Sequence, residues 1–138
     1  MVGNIASAIS LEERNDLKSI TENFLINSGC ISHVDVNITS NNVIEILAIP
    51  IVGSTDEETG RNVILSYAAI DGVYIGVYEK YPEIDLMNST IYLNNTPLVT
   101  FHCLGEWAAM VRKNPDGSFN RDDVEALNEK VRKTGKVF

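Results

Sequence analysis

Apolar residues along the chain recur in two rhythms, one near 3.6 residues and one of two, and their alternation lays out the elements. Ser10-Leu-Glu-Glu13 has the S-x-x-E form of a capping box, and Leu17, Ile20, Phe24 and Leu25 follow at helical spacing until Gly29. This predicts a first helix over 11–27. Residues 34–39, Val-Asp-Val-Asn-Ile-Thr, alternate strictly and place Val34, Val36 and Ile38 on one face of a strand. Ser40-Asn41-Asn42 is turn chemistry, and the nearly continuous apolar run from Val43 to Val52 predicts a second strand, covered on both faces for part of its length.

Thr55-Asp-Glu-Glu58, overlapping Ser54-x-x-Glu57, opens a long central helix that runs to Tyr81 and stops at Pro82. Ser89 to Leu93 and Leu98 to Leu104 form a second hairpin around Asn94-Asn95-Thr96-Pro97, with Ile91 and Leu93 facing in on one strand and Val99, Phe101 and Cys103 on the other. Ile46, Leu47, Val99 and Phe101 are expected in the sheet core. Trp107 to Val111 extends this hairpin as strand or short helix towards the turn Asn114-Pro-Asp-Gly117. A last helix begins at Arg121, capped by Asn120, with Asp122 and Asp123 in its first turn, Lys130, Arg132 and Lys133 in its last, and Gly135 after it. The order α-ββ-α-ββ-α implies a two-layer α+β fold, a four-stranded, mostly antiparallel sheet packed on helices, built as one domain over 1–138.

The central helix is the unusual element, because Asp71 is its only charged side chain between Val63 and Tyr78. Steps of about 100° set Asp71 among Ile64, Tyr67, Ala68, Tyr74, Ile75 and Tyr78, with Leu65, Ala69, Gly72, Val73 and Gly76 broadly opposite. The small side is expected to approach the sheet. That leaves Tyr67, Asp71, Tyr74 and Tyr78, with Tyr81 beyond, to meet the terminal helices, a partner or a ligand, and these four residues are the candidate binding residues. The plainer alternative has the terminal helices covering this side, with Asp71 bonded to a tyrosine hydroxyl or exposed at an edge.

Charge narrows the partners. Asp and Glu number 19 against 11 Lys and Arg, a formal net charge of −8, which argues against a nucleic-acid partner. No span of the chain is long and apolar enough for a membrane helix, and Met1 to Ser10 lacks the pattern of a signal peptide, so direct membrane insertion is not expected and a cytoplasmic location is, or an extracytoplasmic one if a signal or anchor precedes this sequence. Cys30 and Cys103 are read as buried thiols rather than a disulfide. N-x-S/T triplets at Asn37, Asn88 and Asn94 are frequent enough by composition to carry no weight.

Catalytic signatures of the common classes do not occur in the sequence, and no catalytic residue, metal ligand or cofactor is assigned. His102 and Cys103 are adjacent, but neighbours on a strand point to opposite faces and cannot form a dyad. The segment from Asn114 to Glu125 places oxygen-bearing residues at calcium-loop positions, yet Phe119 stands where that loop needs glycine, so it is read as a turn leading to a helix cap. Trp107 beside Glu106 and His102 is a weaker candidate patch, read as a core plug. The functional expectation is a non-enzymatic interaction or accessory domain acting through surface contacts as a homodimer or with a protein partner. The alternative is a small-molecule-binding or enzymatic domain with a pocket between the central helix and the sheet around Asp71.

Overall fold

The structure, a computed structural model, describes residues 9–138, so the reading of the first ten residues lies mostly outside them. Helix α1 spans Leu11–Ile26 and opens with the full reciprocal capping box, Ser10 accepting from the Glu13 amide while Glu13 accepts from the Ser10 amide. Strands β1 (Ile31–Ile38) and β2 (Val43–Pro50) form an antiparallel hairpin that turns through Asn42 in the left-handed region. Helix α2, Asp56–Lys80, is N-capped by Thr55 and ends at Tyr81, next to the predicted stop at Pro82. Strands β3 (Leu86–Leu93) and β4 (Thr96–Leu104) pair antiparallel around Asn94 and Asn95, both with positive φ, as tight hairpins with a right-handed twist require. A short helix α3, Gly105–Ala108, settles the ambiguous Trp107 region, and helix α4, Arg121–Lys133, is capped by Asn120 as expected. A two-residue strand β5, Lys136–Val137, closes the described chain.

The fold is α+β with the sheet packed on helices, but among the described residues the sheet has five strands in the order β1-β2-β3-β4-β5. Its centre is parallel, β2 against β3, because α2 carries the chain back across the sheet before β3 begins. The fifth strand was missed because two residues carry no alternation to read. β2 is covered on one face only: Ile44, Ile46 and Ala48 are buried, Glu45 and Leu47 are exposed, and the expectation that Leu47 lies in the core is corrected. In so β-branched a run, burial on alternate positions leaves no trace in the hydrophobicity itself.

The larger correction concerns α2. Its buried face consists of Ser66, Ile70, Asp71, Tyr74, Ile75 and Val77, while Gly72 and Gly76 lie outside that face and Ala69 and Val73 only partly pack against the core. Tyr74 is fully buried, and its hydroxyl donates to the carbonyl of Ile84 at 2.8 Å, just before β3. Tyr67 stacks on Phe101 of β4 with ring centroids 4.3 Å apart. Tyr74 is therefore a core residue with an anchored hydroxyl, and Tyr67 and Tyr78 are half-buried against the same core. A bulky face buries more apolar area than a glycine face, and that gain outweighs the closer approach that small residues permit.

Phe101 joins this core from β4, 2% exposed beneath the Tyr67 ring. Truncation of Phe101 to alanine should cost about 3–5 kcal/mol of unfolding free energy in urea titration. A loss below about 1 kcal/mol would show that the Tyr67–Phe101 stack is not part of a close-packed interior.

Candidate functional site

The helix layer carries two surfaces with chemical potential, a buried carboxyl and an open apolar groove. Asp71 projects from the inner face of α2 and is 0% exposed, with neither carboxyl oxygen hydrogen-bonded among the described residues. Burial pushes its pKa up to about 8, against a smaller pull downward from Arg132 on α4. The nearby Cys103 thiol is raised to about 12, first by burial and then by the Asp71 charge. Tyr67 is also raised, chiefly by burial. Asp71 thus sits neutral and unpartnered below about pH 8, neither bonded to a tyrosine hydroxyl nor exposed at an edge.

A cleft of about 380 Å³ opens nearby between α2 and α4, lined by Ile64, Tyr67, Ala68, Asn128 and Arg132. Asp71 is not part of its wall. The residues singled out from sequence are thus divided by the fold: Tyr74 and Asp71 are buried, Tyr67 and Tyr78 are half-buried, and Tyr67 alone reaches this cleft. Tyr74 and Tyr78 are adjacent, with rings 6.3 Å apart, and Tyr81 belongs to a different surface altogether.

That other surface is a groove of about 620 Å³ between α1 and α2, closed at one side by Phe119 and Val124 at the start of α4. Its α2 wall is made of Gly72, Val73, Ile75, Gly76 and Val77, and its α1 wall of Leu17, Ile20, Thr21 and Phe24, with Tyr81 at one end. Ile20 and Phe24 are 61% and 55% exposed, although both are large and apolar. A Cβ built on Gly72 or Gly76 would meet nothing within 4 Å among the described residues, so no contact with them calls for glycine at either position. Glycine inside a helix costs about 1 kcal/mol relative to alanine, and two of them one turn apart here are not offset by anything in the fold. Thr21 is 1% exposed at this wall, and its hydroxyl has no partner among the described residues. Asp16 and Lys80 add one charge of each sign to the rim.

Sequence reasoning placed Ile20 and Phe24 in the α1 core stripe and missed them as surface. The buried stripe is Leu17, Thr21 and Leu25, at strict i, i+4, i+8 spacing, and the polar residue at its centre disguised it. An apolar stripe on each side of one short helix was the available signal. The other sequence candidates behave as ordinary structure. Cys30 and Cys103 are free and buried. His102 lies against Trp107 at 6.0 Å, while Cys103 faces the core. The Asn114 to Asn120 segment is a turn in which Asp116 accepts from the Ser118 amide and hydroxyl.

Asp71 sets a pH dependence whose sign follows from linkage. Its folded pKa lies above the ordinary carboxylate value of 3.8, so between about pH 4 and pH 8 the folded chain holds a proton that the unfolded chain has released. Its contribution to stability is therefore full below about pH 4, falls as pH rises, and levels off above about pH 8, a loss of the order of a few kcal/mol. Asp71→Asn, close in shape and uncharged, should flatten that slope and be the more stable protein at pH 8.5. Parallel curves of unfolding free energy against pH for the two proteins would show that Asp71 is not buried as described.

Comparison of the chain with protein-family models, with curated proteins and with solved structures gives no match.

Proposed function

We propose that this chain is a non-enzymatic interaction domain that acts through its helix layer and pairs with a second copy of itself in the groove between α1 and α2. The observation that carries this reading is the pair of glycines, Gly72 and Gly76, opening onto empty space beside the exposed Ile20 and Phe24. Glycines one turn apart let another helix approach the α2 backbone closely, which compensates the helix propensity they forfeit.

A second copy fits because ridge and notch lie on the same face. In a two-fold arrangement the Ile20–Phe24 ridge of one subunit enters the Gly72–Gly76 notch of the other, and the reverse contact follows by symmetry. Asp16 and Lys80 at the rim can likewise meet their opposites across the axis. Each subunit carries a formal charge of −8, so apolar contact must overcome mutual repulsion, and added salt should tighten the pairing. The competing reading, a ligand pocket gripping through Asp71, draws support from the unpartnered carboxyl. It requires α4 to move, because Asp71 lies outside the wall of the adjacent cleft.

Gly76→Leu separates binding from folding. A Cβ at this position meets no neighbour within 4 Å among the described residues, so stability should hold or rise by up to about 1 kcal/mol, while the filled notch should raise the dimer dissociation constant at least about tenfold. Phe24→Glu should do the same from the opposite wall. Light scattering that finds the unaltered protein monomeric at high concentration and high salt would overturn the reading.

A further inference from the structure

The outer edge of β1 is closed by an arrangement that the groove does not explain. β1 is a terminal strand of the sheet, and a terminal strand presents unpaired amides and carbonyls on which another strand can add. At Val36, the sixth of its eight residues, both groups are taken up by side chains of α1. The Val36 amide donates to Glu22 Oε2 at 2.9 Å, and Lys18 Nζ donates to the Val36 carbonyl at 2.6 Å. Lys18 and Glu22, one helical turn apart, are themselves paired at 2.8 Å, and Lys18 also reaches Asp35 at 3.0 Å. The two side chains reproduce what a neighbouring strand would offer, one donor and one acceptor at a single residue.

We infer that Lys18 and Glu22 form a clasp over a strand-docking edge, and that the strand this edge accepts when the clasp is absent is β1 of a second copy. The occupant follows from the register. An antiparallel pairing of two β1 strands centred on Val36 sets Val36 against its own copy as a hydrogen-bonded pair, which needs the amide and carbonyl that the clasp covers. It sets Val34 opposite Ile38 on the buried face and Asp35 opposite Asn37 on the exposed face. Apolar residues then meet apolar residues, and a carboxylate meets an amide donor, with no like charges opposed. The opposite edge of the sheet has its own protection, since β5 pairs with β4 at Val99 and Thr100 and the Phe138 amide donates to the Leu98 carbonyl. The clasp is thus the device that keeps this chain from joining sheets edge to edge, and it is independent of the proposed groove dimer.

The test uses a Phe24→Glu background, so that pairing through the groove does not contribute. There, Lys18→Ala with Glu22→Ala should associate with rising concentration and reach twice the monomer mass by light scattering. Adding Asn37→Asp, which opposes carboxylates across the new contact, should return it to monomer. The clasp variant remaining monomeric while folded by circular dichroism would overturn the inference, as would association that Asn37→Asp leaves unchanged. If the double variant does not fold, hydrogen exchange of the Phe24→Glu protein decides the clasp by itself. The Val36 amide should exchange at least about tenfold more slowly than those of Val34 and Ile38, which point the same way along the edge. Equal rates at the three positions would show that no clasp exists.

Discussion

The seating of Tyr74 determines how the rest of the molecule is arranged. Its ring is fully buried between α2 and the sheet, and its hydroxyl is tied to the Ile84 carbonyl at the entry to β3. A buried tyrosine must find an acceptor for its hydroxyl or leave a donor unsatisfied at a cost of about 1–3 kcal/mol. That single bond therefore fixes both the rotation of α2 about its axis and the position of the chain where it enters the parallel centre of the sheet. With Tyr74 inward, Ile70 and Val77 follow it into the core, Tyr67 falls onto Phe101, and Gly72 and Gly76 are left on the outside.

Two features that look unrelated follow from this rotation. Asp71 is adjacent to Ile70 and three residues before Tyr74, so it is carried inward into a space where its carboxyl oxygens have no partner among the described residues. The outer face, stripped of bulk, becomes the floor of a groove whose other wall is the Ile20 and Phe24 ridge of α1. One packing choice thus creates both a buried, unpartnered carboxyl and an unfilled exterior. Burial of the carboxyl is tolerable because it can remain neutral below about pH 8. The exterior is not improved by any such adjustment within the chain, and in the proposed dimer it is filled by a second copy.

Much of this fold could be read from the chain. Capping residues Ser10, Thr55 and Asn120 marked the starts of the three long helices, and Asn42, Asn94 and Asn95 marked both hairpin turns, because caps and positive-φ turns depend on local chemistry. The inward residues of β1 and β4 followed from alternation alone. The facing of α2 did not. Both of its sides are apolar, so no hydrophobic contrast points one of them at the sheet, and the choice rests on area buried and on the Tyr74 hydroxyl finding the Ile84 carbonyl ten residues further along the chain. The groove was hidden for the same reason: Ile20 and Phe24 have the spacing of a core stripe, and only the third dimension shows that Leu17, Thr21 and Leu25 hold that place. Salt bridges were equally illegible, since the Lys18 and Glu22 pair matters through the backbone of Val36, fourteen residues or more away.

Concentration-dependent NMR of the unaltered protein addresses the central claim most directly, because it reports on individual residues of the two faces of α2. If the rotation of α2 leaves a self-complementary groove outside, the amides of Gly72 and Gly76 and the methyl groups of Ile20 should shift or broaden together as concentration rises. Those of Ile70, Tyr74 and the sheet strands should stay still. A spectrum independent of concentration, or changes gathered around Tyr67, Tyr78 and α4 instead, would contradict it.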